Sequence, residues 1–168
     1  MPFRLFNKSE PDLKIVPQPA APGPETLREG PLFAGWYLQY RLGEEMERAR
    51  RYGRPLAVAI ADAPALLPGE RLSAEALAAA TEAAQIAARS TDLLGWLDGY
   101  SFLMIMPETT DVDAEAALSR WRSEMWLRSR SFGGQKWNIA ILPSPVEFDS
   151  AEQLIESIPE LLTQREAA

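Results

Sequence analysis

The side chains able to do chemistry in this chain of 168 residues are carboxylates, hydroxyls, guanidinium groups and lysine amines, because the sequence contains no histidine and no cysteine. The missing histidines exclude a Ser-His-Asp triad, a histidine base and imidazole metal ligands. The missing cysteines exclude disulfides, thiolate nucleophiles and cysteine-based zinc or iron–sulfur sites. A metal would need a cluster of carboxylates, which favours Mg²⁺ or Ca²⁺. One acid stands in a notable place: Asp62 directly follows an apolar run at residues 56–61.

The charge balance restricts the possible partners. The chain carries 17 Lys and Arg against 24 Asp and Glu, which gives a net charge of -7. Nucleic acids and anionic membranes attract a positive field, so we expect neither as a partner. The sequence contains no apolar stretch of transmembrane length and no secretory signal, and a cytoplasmic location without membrane insertion is the prediction.

The first 31 residues differ in composition from the rest. They hold 7 of the 14 prolines, and residues 16–24 form a proline-rich run. Such a run lacks backbone donors and favours extended, polyproline-like conformations. We predict a flexible segment at residues 1–31 and one folded domain at 32–168. The segment either is an unstructured leader or docks a partner.

The folded part alternates helix and strand patterns. A first helix is predicted at 33–52, with Leu38, Leu42, Met46 and Ala49 on its buried face and Glu45 among its water-facing charges. The remaining predicted elements are strand 56–61, a loop at 64–69, helix 74–88 capped by Ser73, strands 93–97 and 102–106, a helix to 128 capped by Asp111 or Asp113, strand 136–142, and a helix capped by Ser150. A crossover followed by a hairpin predicts a mixed sheet flanked by helices.

Three features together resemble the GGDEF domain of diguanylate cyclases. Residues 47–57 lead from the first helix into the strand that ends at Asp62, a hairpin spans 97–102, and Arg89 and Asp92 precede it. The resemblance covers roughly residues 35–165. It implies a bacterial signalling protein of the α/β (α+β) class. Its expected architecture is a mixed central sheet of the nucleotidyl-cyclase palm type, with a ferredoxin-like βαββαβ core flanked by helices.

The signature of that family is degenerate here. It falls on residues 98–102: Gly99 and Phe102 match, Asp98 replaces the first glycine, Tyr100 replaces the metal-binding acid, and Ser101 replaces the catalytic-loop glutamate. A phenol cannot replace a carboxylate as a metal ligand.

Asp62 is the only matched carboxylate, and it also suits a structural strand-end acid. The family's guanine-binding Asn and Asp are missing from residues 63–72. We therefore expect no catalysis, no metal and no cofactor.

The resemblance implies a product-binding site upstream of the signature. In the family, an Arg-x-x-Asp motif binds cyclic di-GMP, and Arg89 and Asp92 stand in register with it. A second arginine from the next helix would be Arg120, with Arg122 as the alternate. A guanidinium fork suits phosphate or the guanine Hoogsteen edge, and a carboxylate accepts from guanine N–H groups. The competing interpretation is structural: Arg89 at a helix C-terminus and Asp92 as a loop cap.

The sequence thus favours a non-catalytic signalling domain that binds cyclic di-GMP, a protein partner or a second copy of itself. One alternative is a scaffold without nucleotide binding. Another is a residual metal-dependent cyclase that uses Asp62 with Glu108, and a third is an unrelated ferredoxin-like domain.

The five tryptophans separate into two groups. Trp96, Trp121 and Trp137 are predicted core residues. Trp126, off the apolar stripe of its helix, is expected on a contact surface. Trp36 suits either a contact surface or packing against the N-terminal segment.

Overall fold

The structure is a computed structural model that describes residues 28–29, 32–63, 73–97, 101–128, 130 and 137–166. Its helices are α1 (Gly35–Tyr52), α2 (Ala74–Ala87), α3 (Asp111–Leu127) and α4 (Ala151–Glu166). Its strands are β1 (Arg28–Glu29), β2 (Leu32–Phe33), β3 (Leu56–Asp62), β4 (Leu93–Trp96), β5 (Ser101–Pro107) and β6 (Asn138–Ile141). A 3₁₀ turn at Pro145–Glu147 precedes α4.

The described strands form one sheet in the order β1-β2-β4-β5-β3-β6. The pairs β3–β5, β3–β6 and β4–β5 are antiparallel, whereas β2 runs parallel to β4. The unit from β3 to β6 therefore has the βαββαβ connectivity and the 2-3-1-4 strand order of a ferredoxin-like core. The predicted mixed sheet of the nucleotidyl-cyclase palm type is confirmed.

The central strand β3 is buried on both faces of the sheet. Because successive side chains of a strand point to opposite faces, Ala57, Ala59 and Ala61 pack in one core with α2 and α3. Val58 and Ile60 pack in a second core with α1 and α4. The buried alanines of α2 let this helix pack closely against α3, in line with the close approach that its alanine-rich sequence predicts.

Most of the helix ends lie where the sequence places them. Ser73 accepts a hydrogen bond from the Ala76 amide at 3.1 Å, and Ser150 accepts one from Gln153 at 3.2 Å. Gly53 ends α1 in the left-handed conformation at φ 62°, which favours glycine. The cap predicted for α3 was wrong: Thr110, and neither Asp111 nor Asp113, is its N-cap. Thr110 Oγ1 accepts from the Asp113 amide at 3.2 Å, so the cap lies one residue earlier.

The prediction that Glu45 faces water was wrong. Only 4% of this residue is exposed. It lies beside the buried stripe, where Arg48 Nη1 is 2.8 Å and Arg41 Nη2 is 3.2 Å from its Oε1. Two cations three and four residues away on the same helix thus compensate a carboxylate that would otherwise be costly to bury.

The tryptophans separate as predicted. Trp121 is fully buried, and Trp96 and Trp137 are partly buried against the α2–α3 core. Trp126 is 74% exposed and Trp36 is 50% exposed. Two of the five tryptophans therefore lie on the surface.

The sheet starts at Arg28 and so includes the last part of the segment assigned to residues 1–31. The rest of that segment and the loop predicted at 64–69 lie outside the described residues. The domain boundary at 31/32 stays a prediction. Among the helices described, none is long and apolar enough to cross a membrane.

Gly95 generates a test of the β2–β4 pairing. A Cβ at Gly95 would overlap the backbone carbonyl oxygen of Phe33 on β2. We expect Gly95→Ala to lower the free energy of unfolding by about 1–3 kcal/mol, the usual cost of overpacking, as measured by urea unfolding.

Gly43→Ala is the matched control, since its added Cβ meets nothing nearer than Ala151 Cβ at 4.0 Å. Inside α1 it should stabilise the protein by about 0.5–1 kcal/mol. Equal effects of the two alanines would contradict the close approach of β2 to β4.

Candidate functional site

One end of the central sheet brings three polar residues together. Asp62 ends β3 and lies opposite Ser101 on β5 and opposite Asn138 on β6. The Ser101 hydroxyl donates a 2.7 Å hydrogen bond to Asp62 Oδ1. The matched aspartate is thus bonded to the residue that replaces the catalytic-loop glutamate, which agrees with the structural interpretation of Asp62.

The rest of the degenerate signature is only partly described. Asp98, Gly99 and Tyr100 lie outside the described residues. Phe102 is fully buried, with its ring centroid 3.6 Å from that of Trp96 and 5.8 Å from that of Trp137. Phe102 therefore anchors the base of the hairpin in the α2–α3 core.

The described acids do not assemble a metal site: no group of three or more carboxylates with suitable spacing occurs among them. The proposed pairing of Asp62 with Glu108 was wrong. In the β3–β5 register, Asp62 lies opposite Ser101 and Leu56 opposite Pro107, so Glu108 follows the other end of the strand pair. The two acids are about 20 Å apart along the sheet, from six steps of about 3.3 Å. Glu108 instead forms an ion pair with Arg54.

The turn between α2 and β4 is built around Asp92. Asp92 Oδ2 accepts a 2.7 Å hydrogen bond from the Arg89 amide, and the Asp92 amide donates to the Arg89 carbonyl oxygen at 3.1 Å. These bonds close the four-residue turn and fix the Asp92 carboxylate beside the end of α2. Asp92 thus performs the capping role that the structural interpretation gives it, while the Arg89 side chain stays exposed.

The two carboxylate oxygens of Asp92 differ in their hydrogen bonding. Oδ1 is buried and has no hydrogen-bond partner within the described part of the chain. Burial raises the pKa of the Asp92 carboxyl, while the Arg89 amide and the charges of Arg89 and Arg120 act in the opposite direction. An acceptor atom without a hydrogen-bond partner among the described residues therefore lies near two cations.

The Arg120 side chain lies at this turn, whereas the Arg122 side chain contacts β6. Arg120 Nη2 donates to the Ala87 carbonyl oxygen at the end of α2, at 3.4 Å. Arg122 Nη2 donates to the Ile139 carbonyl oxygen on β6 at 2.9 Å, and its Nη1 lies 3.4 Å from Glu115. Arg120 is therefore the second arginine near Asp92, and the alternate Arg122 does not reach it.

Sequence reasoning missed two features, one at the end of the sheet and one on the surface of α1. The hydrogen bond between Asp62 and Ser101 follows from the hairpin register, which pattern alone does not fix. The exposed ring of Tyr40 lies four residues after Trp36 on α1, and that i, i+4 spacing of aromatic residues was a usable signal.

Comparison with known proteins identifies the fold. No family model matches the sequence, and no curated protein is similar enough in sequence to count as a match. Solved structures do match. A diguanylate cyclase protein from Thermotoga maritima superposes with a TM-score of 0.62 at 18% identity, covering 81% of this chain and 97% of its own.

Two further matches are GGDEF domains. That of TpbB, also called YfiN, from Pseudomonas aeruginosa has a TM-score of 0.65 at 19% identity, covering 79% of this chain and 84% of that one. That of DgcB from Caulobacter crescentus, solved in complex with cyclic di-GMP, has a TM-score of 0.63 at 15% identity, covering 81% and 84%. The chain described here therefore has the GGDEF-domain fold.

The raised pKa of Asp92 predicts a pH-dependent stability. Because its folded-state pKa lies above the ordinary value of 3.8, its favourable contribution is present below that value and is lost as pH rises through the folded-state pKa. We expect Asp92→Asn to gain stability relative to the wild type across this window, as measured by urea unfolding at a series of pH values.

Asp111→Asn, at an exposed site on α3, controls for the change in net charge. A difference between Asp92→Asn and wild type that stays constant or shrinks as pH rises would contradict the assigned burial of the carboxyl.

Proposed function

We propose that this chain is a non-catalytic signalling domain of the bacterial cytoplasm that binds cyclic di-GMP through Arg89, Asp92 and Arg120. The carrying observation is Asp92 Oδ1, which is buried, has no hydrogen-bond partner among the residues that the structure describes, and lies near two arginines at an exposed turn. A guanine base offers N1 and N2 donors that the Asp92 carboxylate can accept, while the guanidinium groups suit phosphates or the Hoogsteen edge. The GGDEF-domain fold, which DgcB shares, supports this ligand class.

The local charge supports an anionic ligand on an acidic protein. The net charge of the chain is -7, yet Arg89 and Arg120 outnumber Asp92 at the turn, so the local balance is positive. Arg89 is exposed and makes none of the described salt bridges, so its guanidinium can contact a ligand with little loss of existing contacts.

The absence of catalysis in this proposal rests on the residues around Asp62. Nucleotide cyclisation needs carboxylate-held metal ions that offset the phosphate charge. Here Asp62 is hydrogen-bonded to Ser101, and its other strand neighbour is the neutral Asn138. Tyr100 stands where the second acid of the signature belongs. A single carboxylate with neutral neighbours is a poor site for the metal.

An interaction scaffold without nucleotide binding is the second candidate. Trp126 and Leu127 are adjacent at the end of α3 and are 74% and 64% exposed. Exposed large apolar groups mark protein contact surfaces. In the combined form of the proposal, this surface receives a protein partner or a second copy while the turn binds the nucleotide.

Calorimetry with cyclic di-GMP tests the receptor function. We expect the wild type to bind, and Arg89→Ala and Arg120→Ala to bind about 10-fold more weakly or worse, since a bidentate guanine contact is worth roughly 1–3 kcal/mol. Arg122→Ala is the matched control on α3, because its guanidinium points to β6. Absence of heat with the wild type at high micromolar ligand would refute the receptor and leave the scaffold.

An assay of GTP turnover with Mg²⁺ or Mn²⁺ tests the loss of catalysis. We expect no cyclic dinucleotide above background, because the acids needed to hold the metal are replaced. Turnover that disappears in Asp62→Asn would overturn this part of the proposal, independently of the calorimetry.

A further inference from the structure

A row of aromatic rings begins at the edge of the sheet and continues onto α1. Phe33 and Tyr37 have ring centroids 5.2 Å apart, Trp36 and Tyr37 5.7 Å, and Tyr37 and Tyr40 6.5 Å. We call Phe33, Trp36, Tyr37 and Tyr40 the aromatic row. Trp36 is 50% and Tyr40 59% exposed, so the row presents aromatic surface to its surroundings.

The row opens onto a groove between α1 and the start of α4. The groove has a volume of about 690 Å³. Trp36 and Tyr40 line one part of it, Gly43 and Ala151 lie on its floor, and charged side chains complete the lining: Glu44, Glu47, Arg48, Arg50, Asp149 and Glu152. Gly43 and Ala151 leave the floor of the groove open, because neither carries a long side chain. The groove lies on the α1–α4 side of the sheet, whereas Arg89, Asp92 and Arg120 belong to the α2–α3 side.

The chain supplies a segment whose chemistry fits this groove. Residues 16–24, Val-Pro-Gln-Pro-Ala-Ala-Pro-Gly-Pro, contain four prolines and no charge. Proline-rich segments dock in aromatic-lined grooves because their polyproline conformation is formed in advance and loses little entropy on binding. An uncharged run also brings no charge of its own next to the acidic and basic side chains that line the groove.

The length of the proline-rich run and its point of attachment to the sheet are compatible with docking within one molecule. Nine residues at about 3.1 Å each span roughly 28 Å, and Trp36 to Glu47 spans about 17 Å along α1 at 1.5 Å per residue. The run ends at Pro24, four residues before Arg28, and Arg28 pairs with Phe33 of the aromatic row. So short a tether gives an effective concentration of about millimolar order.

We propose that the aromatic row and its groove bind the chain's own proline-rich run, residues 16–24. Prolines pack against Trp36 and Tyr40, and the segment follows α1 toward Glu47. Docking covers the exposed aromatic surface of the domain, so a partner protein that uses this face must first displace the run. This inference is independent of the cyclic di-GMP proposal.

Paramagnetic relaxation in the 168-residue chain tests the docking. The sequence has no cysteine, so Ala20→Cys carries a nitroxide label at one defined position. We expect broadening of the Glu47 and Glu152 amide signals, which lie in the groove, and none at the Trp126 indole. Because the tether alone keeps the label near α1, the decisive comparison is with Trp36→Ala/Tyr40→Ala.

Loss of the broadening in Trp36→Ala/Tyr40→Ala, and its persistence in the control Trp126→Ala, is the expected result. All three side chains are exposed, so the variants should fold, and amide spectra check this. Equal broadening with and without the aromatic rings would overturn the proposal. Broadening of an unlabelled, isotope-enriched chain by a labelled one would also overturn it and assign the groove to a second copy.

Discussion

The register between β3 and β5 is the constraint on which the rest of the structure depends. Seven residue pairs, from Leu56 with Pro107 to Asp62 with Ser101, fix which side chains meet at each end of the sheet. At one end the register gives Asp62 a hydroxyl partner, and at the other it brings Glu108 to Arg54. A slip of one residue would turn every side chain of β3 to the opposite face, so the two cores and the polar ends are set by the same pairing.

The position of Arg120 follows from packing on the α2–α3 side of that sheet. Buried alanines of α2, including Ala80, Ala84 and Ala87, allow α3 to lie close enough for Arg120 to reach the Ala87 carbonyl. The carbonyl groups at a helix C-terminus attract a cation, and the turn that follows places Asp92 beside the same guanidinium. Small residues on one helix therefore determine the charge around the candidate ligand site, although none of them touches a ligand.

Hydrophobic patterns predicted much of the fold, because β3 and β5 are long apolar runs and α1 has a strongly patterned buried face. The patterns failed where local ion pairs and helix caps, which leave no trace in the hydrophobic pattern, decide the position of a polar side chain. Glu45 was assigned to water because periodicity cannot reveal that Arg41 and Arg48 compensate its charge, and a threonine one residue upstream replaced the aspartates expected to cap α3. For the site, the sequence grouped Arg89 with Asp92, but the choice between Arg120 and Arg122 required the strand carbonyl that holds Arg122.

Strand β4 joins the two proposed surfaces. It begins one residue after Asp92, and its Gly95 pairs with Phe33, the first ring of the aromatic row. A shared strand does not by itself couple ligand binding at the Asp92 turn to docking in the groove. Coupling between two sites requires an element with two discrete arrangements, and occupation of each site must favour one of them. The absent side chain of Gly95 leaves β2 packed directly on the backbone of β4, a contact with little room for a second arrangement. The packing therefore favours two independent surfaces, with the nucleotide turn on one side of the sheet and the groove on the other.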